Sequence, residues 1–108
     1  MSNIREIKVI SSISPLKDRK CSEERLSCLA HSIMGSLTHP MTIRITAHVR
    51  LGDENGINFT TPEFQFPIYI DLEANIRYIV KRMKPIANFI NQRENDWYSF
   101  KAEQIIDI

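Results

Sequence analysis

The sequence predicts a single α+β domain with elements in the order β, α, β, β, α, β, and three patterns carry that expectation. Residues from Met41 to Ile70 alternate apolar and polar side chains with period 2, in two runs separated by turn residues. Two other stretches, after Ser22 and after Asp71, repeat apolar residues at helical spacing behind side chains suited to cap a helix. Alternating runs near either end complete the set. A chain of 108 residues, 43% hydrophobic and 25% charged, suffices for one modest core and not for two domains.

Taken in order, Ile4 to Ile13 reads as the first strand, with Ile7, Val9 and Ile13 expected on one side and Glu6, Lys8 and Ser12 on the other. Pro15 ends it, and Lys17, Arg19 and Lys20 crowd a polar loop. Ser22 is then an N-cap, followed by Glu23 and Glu24 in the first turn, where the helix dipole favours acids. Leu26, Leu29, Ala30, Ile33 and Leu37 form the buried stripe of this helix until Thr38-His39-Pro40 stops it, with His31 on its polar side.

In the ribbon that follows, Ile43, Ile45, Ala47, Val49 and Leu51 alternate with Thr42, Arg44, Thr46, His48 and Arg50. Gly52-Asp53-Glu54-Asn55-Gly56 supplies a turn of about five residues, after which Leu51 is expected to face Ile57, and Val49 to face Phe59. The apolar parity then switches from odd (Ile57, Phe59) to even positions (Phe64, Phe66, Ile68, Ile70). A one-residue slip flips every side chain, so a bulge is expected at Thr61 to Glu63. Pro67 points to a strand end unpaired on one side.

Asp71 caps the second helix, whose stripe is Leu72, Ile76, Ile79, Val80 and Met83. Pro85 lies inside the continuing pattern of Ile86, Phe89 and Ile90, so the helix is expected to kink near Met83 or else to restart with Pro85 in its first turn, the kink being favoured. Its polar face carries Arg77, Lys81, Arg82 and Lys84. Trp97 to Ile108, with Phe100, Ala102, Ile106 and Ile108 at even positions, makes the last strand, and the Trp97-Tyr98 pair, which could stack a base, is expected instead to plug the core at its corner. This is the element order of ferredoxin-like folds, with an antiparallel sheet and two helices on one face. The other face would be open and would display Arg44, Thr46, His48, Arg50, Asn58 and Thr60. RNA-recognition motifs stack bases on aromatics of the central strands. Asn58, Thr60, Lys8 and Ser12 at those places exclude that reading.

Fourteen basic and thirteen acidic residues give a net charge of +1, which supplies no overall attraction to nucleic acid or to an acidic membrane. No apolar run approaches 18 residues, and Glu6 and Lys8 interrupt what would be a signal-peptide core, so the expected compartment is the cytoplasm, without a membrane partner. Cys21 and Cys28 lie two helical turns apart, roughly 10 Å, which favours free thiols over a disulfide. With only His31 and His39 nearby, they lack the ligand spacing of a zinc site. Asn58-Phe59-Thr60 matches a glycosylation acceptor by chance in a chain without a secretory signal.

Of residues suited to chemistry, the acids stand out. Asp71 and Glu73 flank one residue at the strand-to-helix junction, and Glu94 or Asp96 returns about one helix later. Three converging carboxylates would hold Mg²⁺ for phosphodiester hydrolysis, with Arg77 within reach of a phosphate. Asp71-Leu72-Glu73, Arg77 and Asn95-Asp96-Trp97 resemble, in order and spacing, a motif of the phage-type, RusA-like Holliday-junction resolvases. That family's motif is Asp-x-Asp-Asn at a helix start, a lysine on the helix and a further Asp beyond it. Glu73 stands in place of an Asp, Ala74 in place of Asn, and Phe66 to Ile70 is apolar where the family is basic. The resemblance covers the last third of the chain, and it implies a dimeric, Mg²⁺-dependent, structure-specific endonuclease with Asp71, Glu73 and Asp96 as metal ligands.

The leading expectation is a small cytoplasmic binding module without catalysis or cofactor. It would act as an accessory regulator or inhibitor through the open sheet face or the basic helix face, with Arg44, His48, Arg50, Arg77 and Lys81 as binding residues. A protein partner or a second copy comes first and nucleic acid second, because near-neutral charge leaves few phosphate contacts. The resolvase-like nuclease is the alternative.

Overall fold

Alternation in the ribbon becomes a sheet, and helical periodicity becomes two helices packed on one side of it. The structure, a computed structural model, describes residues 4–16, 20–35, 42–51, 55–65 and 71–107. The elements are β1 (Arg5–Leu16), α1 (Glu23–Met34), β2 (Thr42–Leu51), β3 (Asn55–Thr60), a two-residue β4 (Phe64–Gln65), α2 (Leu72–Asn91) and β5 (Trp97–Asp107). Several expectations lie outside the described residues: Lys17 and Arg19, Leu37 and the Thr38-His39-Pro40 stop, Gly52 to Glu54, Phe66 to Ile70, and Ile108.

The α+β class and the antiparallel sheet with two helices stand as read, but the ferredoxin-like topology is not matched. The strand order is β1-β5-β2-β3, with β4 also paired to β2. β1 therefore lies at an edge, while β5 and β2 form the centre. Each helical connection passes over one strand, β1 to β2 over β5, and the β3–β4 segment to β5 over β2. Local periodicity settles the elements and, β1 apart, their faces. Lateral order is settled by contacts between distant residues, such as Ile45 with Ala102 and Ile7 with Ile105.

The caps form as the sequence indicates. Ser22 accepts from Arg25 N, and Asp71 accepts from Glu73 N and Ala74 N. Leu26, Leu29, Ala30 and Ile33 of α1 meet Ile76, Ile79, Val80, Met83, Ile86 and Ile90 of α2. Ile43, Ile45, Ala47 and Val49 with Tyr98, Phe100 and Ala102 complete a single core on one face of the sheet. Leu72, expected in the stripe, is exposed because it stands in the first turn, ahead of the buried run. Pro85 sits on the exposed side of a helix that continues from Leu72 to Asn91. Among the described residues no helix is long and apolar enough to cross a membrane.

Two register shifts shape the sheet. The first is the one the parity switch requires: Thr46 pairs with Thr60, yet Ile43 pairs with Phe64, so the return strand gains one residue at Thr61 to Glu63. Buried Thr61 holds the joint, donating from its N to Ile45 O at 2.9 Å and accepting from Ile45 N at Oγ1 at 3.0 Å. Phe64 is then buried, and half-buried Phe59 packs on Phe89 with ring centroids 5.2 Å apart. The hairpin itself closes more tightly than expected, with Val49 opposite Ile57 and Leu51 opposite Asn55.

The second shift lies in β1, where Val9 pairs with Glu103 and Ser11 with Ala102, leaving Ile10 as an extra residue. This corrects the expected first strand. Ile7 and Val9 share the face of Glu103 and are exposed, while Ile10 joins the core.

Candidate functional site

The face of the sheet away from the helices is built in cross-strand rungs, because alternation in β2 leaves every even residue pointing to it. Arg44 lies opposite Glu103, and Thr46 lies between Thr60 and Lys101. His48 stands between Asn58 and Ser99, and Arg50 between Gly56 and Trp97. All five even residues of β2 from Thr42 to Arg50 are half-buried by these neighbours.

The rungs differ in chemistry. Arg44 Nε donates to Glu103 Oε1 at 3.0 Å, and Lys101 Nζ stands 4.0 Å from Oε2 of the same carboxylate. Toward the edge, Arg5 binds Glu63 through its Nη1 at 3.0 Å and Asp107 through its Nε at 3.2 Å. The link from Arg5 to Glu63 spans the two central strands. The guanidinium holds the Glu63 carboxyl below the usual carboxylate range, chiefly by hydrogen bonding. One rung on, the Thr46 and Thr60 hydroxyls share a hydrogen bond of 3.0 Å.

The last two rungs form an aromatic and amide corner. His48 Nδ1 donates to Asn58 Oδ1, which requires the proton on that nitrogen, and the imidazole centroid lies 5.5 Å from that of Trp97 at a tilt of 42°. Gly56 makes room for this ring, since a Cβ there would collide with His48 Cε1 and Nε2. Trp97 is half-buried on the open face, and its neighbour Tyr98 is the residue that plugs the core, donating from its hydroxyl to Lys20 O at 3.2 Å. Trp97, Gly56, Lys101 and Glu103 were not among the expected site residues. Parity held the signal for Trp97, because Tyr98, Phe100 and Ala102 on the core side force position 97 outward.

The expected binding residues fall in two places. Arg44, His48 and Arg50 share the open sheet face. Arg77 and Lys81 lie in the helical layer, lining with Glu23, Glu24, Ile76, Val80 and Lys84 a groove of about 610 Å³ between α1 and α2. The three carboxylates do not come together. Asp71 and Glu73 share the start of α2, where Asp71 is the cap and exposed Glu73 stands 3.9 Å from Arg77. Asp96 lies beyond the other end of this 20-residue helix, a span of about 30 Å, where its N donates to Arg50 O at 2.9 Å. Among the described residues no three His, Cys, Asp or Glu side chains are grouped as a metal site would need. Comparison of the chain with protein-family models, with curated proteins and with solved structures gives no match.

Proposed function

We propose that this protein is a small, non-catalytic binding module of the cytoplasm that docks a partner protein on the open face of its sheet, centred on His48, Arg50, Asn58 and Trp97. The observation that supports this reading is the charge pairing of the face. Arg44 is engaged by Glu103, and Arg5 by Glu63 and Asp107, so two of its cations are already neutralised and phosphate binding, which scales with the number of cations delivered, gains little. What the face offers instead is an aromatic ring beside an imidazole and an amide, with hydroxyls alongside. Aromatic anchors ringed by polar groups carry most of the energy of protein interfaces.

The test is affinity capture from host lysate with wild type and with Trp97→Ala/His48→Ala, each checked for folding by circular dichroism. Proteins captured by wild type and lost with the variant are expected. Recovery of the same proteins by both would place the docking surface elsewhere, and a salt-sensitive yield of nucleic acid in place of protein would replace the partner class.

A further inference from the structure

The outer edge of β1 pairs with no strand among the described residues, and the edge is uneven in how it is protected. Beyond Val9 the bulge at Ile10 and then Pro15 break its regularity, two devices that blunt an exposed edge. Before the bulge the pairing edge is regular, and its only protection is the charge of Arg5, Glu6 and Lys8. Ile7 and Val9 are exposed by 49 and 52%, and Ile4, just ahead of the strand, by 64%. Ile7 and Val9 lie on the open face. A regular edge with exposed apolar side chains is a template for another strand, provided that its charges find opposite charges on that strand.

The sequence of this segment selects its occupant. Arg5-Glu6-Ile7-Lys8-Val9 is self-complementary when read against a second copy running antiparallel. A two-fold axis at Ile7, perpendicular to the sheet, sets Ile7 opposite Ile7, Glu6 opposite Lys8 and Lys8 opposite Glu6. Arg5, held by Asp107 and Glu63, then lies opposite Val9. Oppositely charged residues facing each other across strands stabilise the pairing, and like charges oppose it. The neighbouring symmetric registers, with the axis at Glu6 or at Lys8, set like charges face to face. Only the axis at Ile7 satisfies both pairs while bringing Ile7 and Val9 of the two copies into one apolar strip.

We propose that the chain forms a symmetric dimer by antiparallel pairing of residues 5–9 of β1 with the same segment of a second copy, about a two-fold axis at Ile7. The sheet becomes continuous across both copies, with all four helices on one side. The two open faces join on the other side, which doubles the docking surface without altering it, so the dimer stands or falls independently of the partner reading above. A strand pair of this length is a small interface, so reversible association is expected.

Sedimentation equilibrium of the full chain up to about 1 mM, the range that a small interface calls for, tests the dimer. Wild type is expected to show a monomer–dimer equilibrium, and Ile7→Asp to be monomeric. Glu6→Lys and Lys8→Glu each set like charges opposite one another twice per dimer, and each should weaken association about tenfold. The exchange Glu6→Lys/Lys8→Glu recreates both attractions with the signs reversed and should return affinity to within about threefold of wild type. Both residues are exposed, so these variants keep their fold, which circular dichroism verifies. Wild type that stays monomeric throughout, or a double exchange as weak as either single variant, overturns the proposal.

Discussion

Cys21 and Cys28 show how a single residue's surroundings decide its chemistry. Cys28 is exposed on α1, whereas Cys21 is buried ahead of its cap, clamped by Asn91, which accepts from Cys21 N at 2.7 Å and donates to Cys21 O at 3.1 Å. Burial pushes the Cys21 thiol up from 9.0 to about 11, against a smaller opposing hydrogen bond with Tyr98. Alkylation of the native protein should therefore modify Cys28 alone, and Cys21 should react only once the chain is unfolded. A folded value above the unfolded one means that the buried thiol's contribution is whole below pH 9 and is lost as pH rises to about 11. Thermal melts across that window should fall more steeply for wild type than for Cys21→Ala, and parallel curves would show that the burial does not act on the thiol. Gly56 is the other position where one atom matters: Gly56→Ala should displace the His48 ring from Asn58 and Trp97, seen as loss of the imidazole's ring-current shift.

At the scale of elements, the caps and the hairpin bulge were legible because each follows from a local rule. Ser22 and Asp71 precede periodic runs, and the parity of Phe59 against Phe64 demands an extra residue between them. The same rule misplaced the first strand, since Ile7, Val9 and Ile13 share parity in sequence but a bulge at Ile10 separates them. Nothing local marks that bulge. No proline or glycine stands there, and the bulge shows only in the register of β1 against β5. The capping geometry also bears on Asp71. Because its carboxylate accepts from two backbone N–H groups at the start of α2, Asp71→Asn should be almost neutral and Asp71→Ala should cost about 1 kcal/mol of stability. A loss on Asp71→Asn as large as on Asp71→Ala would mean that the charge, rather than the cap, is what the site uses.

For the molecule as a whole, lateral strand order was the part the sequence did not disclose, and the charge pattern of the open face depends on it. Arg44, Lys101 and Glu103 are far apart in the chain or on one strand, and only the β2–β5 register makes them a cluster. Arg44 therefore differs from an exposed surface charge. The Glu103 side chain is only 10% exposed, so Arg44→Glu should lower the thermal midpoint by removing its partner and setting two carboxylates together. On the proposed reading, the same pairing weakens the attraction of phosphate to a face built with arginine, lysine and histidine. Glu63→Gln/Glu103→Gln raises the net charge of +1 by two and removes the carboxylate that holds Arg44 and Lys101 and one of the two that hold Arg5, leaving Asp107. The variant should gain affinity for duplex DNA in low salt, with a slope of log K against log salt steeper than wild type by about two to three, at roughly 0.9 per phosphate contact. If wild type already binds DNA with the steeper slope and the variant adds nothing, the carboxylates do not mask these cations, and nucleic acid displaces protein as the partner of this face.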